Sequence, residues 1–145
     1  MMTEIFLDTA YAIALISETD DFHDRALALA SYLEENQIHL VTTRAILLEI
    51  GNALSKVRYR SAAIQLLDAL ENDVSVEITP LSEPLYKESL RLYRERSDKE
   101  WGLIDCISYL VMKRKGIYQA LTTDEHFRQM GFQVLLRDLP FDMKH

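Results

Sequence analysis

Four acidic side chains lie at positions where they could do chemistry: Asp8, Glu49, Asp105 and Asp124. Asp8 follows a short apolar run at residues 4–7 that is typical of a buried strand, and Asp124 follows a second such run by two threonines. In an open parallel sheet, sites form at the edge where the strands have their carboxyl ends. We therefore expect Asp8 and Asp124 to share that edge, where carboxylate oxygens would suit hard cations such as Mg²⁺ or Mn²⁺.

The other two acids cannot be placed at this edge from the spacing alone. Asp105 lies in the first turn of a helix that does not directly follow a strand, and Glu49 lies two turns into a helix. Each of the four also has a purely structural explanation. An aspartate after a strand often forms a turn or a cap, Asp105 would complement a helix dipole, and Glu49 would be solvated on a polar face. The argument for chemistry therefore needs the four acids to act as a set.

The hydrophobic pattern predicts strands that alternate with helices. Strands are expected at residues 4–8, 38–41, 74–78, 118–122 and 132–136. Helices are expected at residues 10–15, 21–35, 43–56, 61–70, 80–96, 103–115 and 124–130. This alternation predicts a three-layer α/β/α fold, with a central, mostly parallel sheet of about five strands covered on both faces.

Length and composition narrow the class of protein. The 145 residues, 48% of them hydrophobic, suffice for one domain with its own core, which we expect to span residues 1–145. A single cysteine, Cys106, cannot form a disulfide framework within the chain. There is no apolar run of about 20 residues and no pattern of a secretory signal. Together these features lead us to expect a cytoplasmic protein that does not enter a membrane.

The charge is distributed unevenly along the chain. The formal net charge is −7, and residues 1–40 account for all of it, with eight acidic side chains and one basic side chain. Residues 41–145 are neutral overall. This pattern argues against nucleic-acid binding through a broad basic surface. A site for a polyanion would have to be local or assisted by cations.

Four segments resemble the motifs of the PIN-domain family, in the order in which the family has them. They are FLDT at residues 6–9, TRAILLEIGNAL at 43–54, DKEWGLIDC at 98–106 and LTTDEHF at 121–127. The resemblance extends from residue 4 to about residue 136 and is strongest to VapC-like toxins. One position departs from the pattern, since the third motif usually has Ser or Thr where this chain has Ile104.

The resemblance implies that Asp8, Glu49, Asp105 and Asp124 meet in one acidic pocket that binds Mg²⁺ or Mn²⁺ and hydrolyses phosphodiester bonds of RNA. Asp8 and Asp105 are expected to be direct ligands, and Glu49 and Asp124 to complete the shell, through water or as a base. The resemblance leaves one or two ions possible. It also implies a small antitoxin protein as a partner and a homodimer.

Two other functions stay open at this point: a non-catalytic PIN-like module that binds RNA or protein, and a nuclease of the same fold that acts on DNA. Basic residues that flank the helix of Glu49 are candidates for phosphate contacts, with solvated helix-end charge as an equal alternative. They are Arg44, Lys56, Arg58 and Arg60. The histidines share no ligand spacing, and the sequence contains no Gly-rich phosphate loop.

Overall fold

The computed structural model describes residues 3–139 and contains one five-stranded sheet. The strands are β1 (Glu4–Leu7), β2 (His39–Thr43), β3 (Val76–Thr79), β4 (Gln119–Leu121) and β5 (Gln133–Val134). Their order across the sheet is β3-β2-β1-β4-β5, and every neighbouring pair is parallel. The predicted parallel sheet of about five strands is confirmed.

The central strand is apolar on both faces, which explains why both faces must be covered. Successive side chains of a strand point to opposite faces. Ile5, Phe6 and Leu7 are nevertheless 2%, 0% and 1% exposed, so both sides of β1 are buried. A parallel sheet with helices on both faces produces this continuous apolar run.

Helices provide that cover. They are α1 (Thr9–Ile16), α2 (His23–Glu35), α3 (Arg44–Ala53), α4 (Val57–Asn72), α5 (Glu83–Glu95), α6 (Leu103–Lys115) and α7 (His126–Gln129). α1 packs against α2, α3 and α4, and α5 packs against α6. The three-layer α/β/α fold predicted from the sequence is therefore present. Between residues 3 and 139, no helix is both long enough and apolar enough to cross a membrane.

The direction of chain progression reverses next to β1. The chain adds β2 and β3 on one side of β1 and then returns to place β4 and β5 on the other side. Ligands of open α/β sheets bind outside the carboxyl ends of the strands at such a reversal. The register pairs Leu7 with Leu121, so the residues that follow β1 and β4 emerge side by side at this point.

Two helices begin three or more residues away from the start that the sequence pattern predicts. α4 starts at Val57 rather than at residue 61, because three of the four residues of its first turn are exposed and give no regular apolar spacing; Val57 is 93% exposed, and only Tyr59 of this turn packs against the core. α5 starts at Glu83 rather than at Pro80. Its N-cap is Ser82, whose hydroxyl accepts a hydrogen bond from the Leu85 N–H at 3.2 Å. A capping serine fixes the start of a helix more directly than a preceding proline does.

Candidate active site

Asp8 lies directly after β1 and is fixed from β4. Its backbone N–H donates to the Leu121 carbonyl at 3.3 Å, which extends the sheet pairing by one residue. Its carboxylate accepts a 2.7 Å hydrogen bond from the Thr122 hydroxyl. The side chain is buried, with 7% of the residue exposed. Asp8 is thus held at the junction of β1 and β4, at the carboxyl edge of the sheet.

Burial governs the ionisation of Asp8. Desolvation raises its pKa from 3.8 to about 7 in the metal-free protein, and the charges of Asp105 and Glu49 add to the rise. Hydrogen bonds from Thr122 and from the Thr9 backbone oppose it. The neighbouring charges of Asp105 and Glu49 therefore favour the protonated form of Asp8.

Glu49 reaches the same place from α3. This helix starts at the carboxyl end of β2, where the Thr43 hydroxyl caps it by accepting from the Ile46 N–H at 3.1 Å. Glu49 is partly buried, and its carboxylate accepts a hydrogen bond from the Thr9 hydroxyl at the start of α1. Glu49, in the second turn of α3, therefore points toward the start of α1, next to Asp8.

Asp105, which the spacing alone could not place, comes to the same edge. The connection between α5 and α6 returns the chain there, so that the first turn of α6 adjoins the loop after β4. The Gly102 N–H donates to Asp105 Oδ2 at 2.9 Å, which caps the helix start. Burial raises the pKa of Asp105, reinforced by Asp124 and Glu49; the Gly102 N–H and His126 act in the opposite direction. Asp105 is thus both a helix-capping residue and a member of the acidic group.

The turn that follows β4 fixes the position of Asp124. Its N–H donates to the Thr122 hydroxyl at 3.0 Å, and its Oδ1 accepts from the His126 N–H at 2.9 Å. Thr122 therefore joins two of the site acids, because the same hydroxyl donates to Asp8. Thr122, which directly follows β4, therefore holds the carboxylate of Asp8 and the turn of Asp124, a role that the sequence pattern did not indicate.

His126 is a further site residue that sequence reasoning missed. Its Nδ1 lies 3.1 Å from Asp124 Oδ1 and 3.6 Å from Asp105 Oδ2. One ligand atom from each of Asp105, Asp124 and His126 falls within 4.8 Å of the others. The sequence does contain a sign of this role, because His126 follows Asp124 by two residues and begins α7. That sign is a short local spacing and not a periodic pattern.

The donor set of this pocket fits a divalent cation. Asp105 interacts electrostatically with each of the other three carboxylates, and Asp8 interacts with Glu49, so that neighbouring charge helps to raise the pKa of Asp8 and of Asp105. Of the four acids, Asp105 and Asp124 share with His126 the group whose ligand atoms lie within 4.8 Å of one another, and Asp8 and Glu49 lie outside that group. Such crowding is unfavourable without a counter-charge, and hard divalent ions are bound by oxygen ligands of this kind. Two hydroxyls, from Thr9 and Thr122, orient the carboxylates of Glu49 and Asp8.

The four candidate phosphate-binding cations are all exposed, and three of them have partners within the chain. Arg44 forms an ion pair with Glu71 of α4. The Arg60 guanidinium donates to the Ser55 carbonyl at 3.0 and 2.8 Å, and that of Arg58 lies over the Tyr59 ring at 4.7 Å. Lys56 precedes α4. Their contact with phosphates stays a prediction.

Two further positions of the third motif can be described. Ile104, which replaces the usual hydroxyl residue, is partly buried and packs against the core. Asp98, seven residues before Asp105, has its side chain 62% exposed and paired with Arg96 at 3.2 Å. Asp98 is therefore a surface acid, and Ile104 contributes packing at the edge of the site.

The comparisons with known proteins agree with this geometry. A model of the PIN domain matches residues 5–133. No curated protein matches the chain in sequence. Among solved structures, the chain is similar to VapC20 from Mycobacterium tuberculosis, described as a Sarcin-Ricin loop cleaving toxin. The TM-score is 0.78 at 24% identity, over 88% of this chain and 95% of that one.

Two other solved structures share the fold at lower identity. VapBC2 from Rickettsia felis, bound to a DNA fragment from its promoter, has a TM-score of 0.64 at 17% identity, over 91% of this chain and 96% of that one. FitAcB from Neisseria gonorrhoeae has a TM-score of 0.60 at 19% identity, over 90% and 95%. The match over residues 5–133 identifies this chain as a member of the PIN-domain family.

Proposed function

We propose that this protein is a metal-dependent endoribonuclease, acting as a single nuclease domain in the cytoplasm. One observation supports this proposal above all. Asp8, Glu49, Asp105 and Asp124 come from four separate segments to the reversal of chain progression between β1 and β4, where Asp105 interacts with each of the other three and Asp8 interacts with Glu49. Structural turns and caps would account for each acid alone, but not for the meeting of all four.

The burial of each acid indicates the role that it would have at the metal ion. A bound Mg²⁺ or Mn²⁺ would polarise a phosphoryl oxygen and activate water for in-line attack. Asp8 and Asp105, the two acids with raised pKa values, would hold the ion most directly. Glu49 and Asp124 would complete the shell or accept a proton from water. Thr9 and Thr122 would keep two of the carboxylates in orientation, as outer-layer hydrogen bonds do in metal sites.

The role of a toxin in a toxin–antitoxin pair is a further part of the proposal. It is supported by the fold shared with VapC20, which cleaves the sarcin-ricin loop, and with the VapBC2 complex. On this account the chain would bind a small antitoxin protein and form a homodimer. Arg44, Lys56, Arg58 and Arg60 would contact RNA phosphates near the helix that carries Glu49.

The experiment that tests the proposal compares substrates and metal. We expect the purified protein to cleave single-stranded RNA internally when Mg²⁺ or Mn²⁺ is present, and to stop when EDTA is added. Single-stranded DNA of the same sequence should remain intact. Preferential cleavage of DNA would indicate a DNA-acting nuclease, and binding of RNA without cleavage under any ion would indicate a non-catalytic module.

A matched pair of variants ties the activity to the site. Asp105→Asn should abolish cleavage, because it removes a partly buried carboxylate from the group. Asp98→Asn changes an exposed carboxylate seven residues away, which pairs with Arg96, and should leave the cleavage rate unchanged. Equal rates for both variants would contradict the proposal.

A further inference from the structure

His126 presents a buried nitrogen to the acidic pocket. Its Nδ1 atom is closed off from solvent and has no hydrogen-bond partner among residues 3–139, although 30% of the side chain is exposed. The atom lies close to Asp124 Oδ1 and Asp105 Oδ2, at 3.1 and 3.6 Å, without aligning with either as a hydrogen bond. A buried polar atom that makes no hydrogen bond is costly and needs a reason.

We propose that His126 Nδ1 is a ligand of the divalent ion, beside Asp105 and Asp124, and that this nitrogen makes the site prefer Mn²⁺ to Mg²⁺. The inference rests on the proposed function, because it assumes that the acidic pocket binds an ion. It adds a nitrogen ligand to a site that the sequence motifs describe with oxygen ligands alone.

The distances fit a shared ion. Neighbouring ligands of an octahedral ion with bonds of about 2.1 Å stand about 3 Å apart. The Nδ1 atom is 3.1 Å from Asp124 Oδ1 and 3.6 Å from Asp105 Oδ2, and all three ligand atoms lie within 4.8 Å of one another. An ion at their common centre would need only small movements of the side chains.

The local backbone holds the histidine in this position. The His126 N–H donates to Asp124 Oδ1 at 2.9 Å, so ring and carboxylate belong to one turn and face the same way. Phe127, the next residue, is fully buried in the core and anchors that turn. The imidazole is therefore placed at the pocket by the start of α7 rather than by a flexible loop.

The chemistry of imidazole gives the expected selectivity. Mg²⁺ binds oxygen ligands and sheds its water reluctantly, whereas first-row transition ions accept imidazole nitrogen. Neutral imidazole coordinates through the nitrogen that lacks a proton. A pocket with carboxylates and one imidazole should therefore bind Mn²⁺ better than Mg²⁺, and the preference should depend on His126.

The test measures ion binding without RNA. Mn²⁺ and Mg²⁺ would be titrated by calorimetry into the metal-stripped wild type, His126→Gln and His126→Ala. The control is His39→Gln, because His39 starts β2 at the opposite edge of the sheet and lies beside Glu4. The Mn²⁺ complexes would also be examined by electron spin-echo spectroscopy, which detects a directly bound ¹⁴N nucleus.

We expect ¹⁴N coupling in the wild type and in His39→Gln, and its loss in both His126 variants. The Mn²⁺ affinity should fall by about tenfold or more in these variants, while the Mg²⁺ affinity changes much less. Absence of ¹⁴N coupling in the Mn²⁺-loaded wild type would overturn the inference, as would equal losses for both ions. In either case, binding of the ion would still be consistent with the proposed nuclease. Failure of the wild type to bind either ion would contradict both the His126 ligand and the proposed nuclease.

Discussion

Asp8 is the most deeply buried of the four site acids, and its environment shows how single residues set the chemistry. Burial raises its pKa from 3.8 to about 7, while the hydroxyl of Thr122 holds the carboxylate in place and opposes the rise. A carboxyl with these properties is poorly accommodated as an anion unless a cation lies beside it. The metal-free protein is therefore expected to be under electrostatic strain near neutral pH.

Replacing Asp8 by Asn should relieve that strain. Between pH 3.8 and about 7, Asp8 keeps its proton in the folded metal-free protein, whereas in the unfolded chain it has already lost it. The stability gained from this proton is fully present at low pH and is lost as the pH rises through 7. The upper limit of the loss is on the order of 4 kcal/mol.

Asp8→Asn is uncharged throughout this range. We expect it to abolish cleavage and, in EDTA, to unfold at a higher temperature than the wild type at pH 8, with a smaller difference at pH 4. Thermal unfolding of both proteins across this pH range is the measurement. A variant clearly less stable than the wild type at pH 8 would mean that Asp8 serves as an essential turn residue instead.

Thr122 offers a second test at this scale. Thr122→Val removes the hydroxyl that donates to Asp8 and accepts from the Asp124 N–H. We expect the cleavage rate or the metal affinity to fall by about 10- to 100-fold, because outer-layer hydrogen bonds orient metal ligands. The neighbouring Thr123→Val keeps the backbone carbonyl that accepts from Arg137, and should have little effect. If both variants behave alike, the hydroxyl of Thr122 does not orient the site.

At the scale of elements, the strands and most helices could be predicted from the sequence because their apolar spacing is regular. Asp8 and Asp124 could be placed for the same reason, since Asp8 directly follows a strand and Asp124 follows another strand after two threonines. Asp105 could not, because its position depends on how the connection between α5 and α6 returns to the sheet edge. His126 could not either, because a single histidine in a short turn has no periodicity, and its role emerges only when α6 and α7 are brought together.

Variants of two helix caps can test whether the start of a helix controls the position of a site residue. Thr43 caps α3, which carries Glu49, and Ser82 caps α5, which carries none of the four acids. Thr43→Ala and Ser82→Ala should each lower the free energy of unfolding by about 1 kcal/mol. Only Thr43→Ala should also reduce cleavage at a temperature where both variants are folded. Undiminished cleavage in Thr43→Ala would show that the start of α3 does not control Glu49.

At the scale of the whole molecule, the net charge of −7 opposes the approach of RNA. The acidic excess lies within residues 1–40, the segment that includes Asp8. RNA binding must therefore rely on the metal ion and on a few local cations. Arg58 and Arg60 are exposed beside the helix of Glu49. Arg58 lies over the Tyr59 ring and Arg60 donates to the Ser55 carbonyl, so a contact with phosphate would compete with these interactions.

The salt dependence of RNA affinity would identify such contacts. In Ca²⁺, which suppresses cleavage, Arg58→Ala should weaken binding of all sequences and reduce the slope of log affinity against log salt by about 0.7 for one lost single-strand phosphate contact. Arg60→Ala should do the same. Arg114→Ala, at the far end of α6 and paired with Glu88, is the control and should change neither quantity. Unchanged affinity and slope in Arg58→Ala and Arg60→Ala would return these residues to ordinary surface charge.

The central claim is that the four carboxylates form one metal site, and anomalous diffraction from crystals soaked in Mn²⁺ tests it most directly. We expect an anomalous peak at the reversal point between β1 and β4, in contact with Asp8, Asp105 and Asp124 and adjacent to Glu49. The peak should disappear in Asp8→Asn crystals soaked in the same way. A peak elsewhere on the molecule, or none at saturating Mn²⁺, would contradict the account.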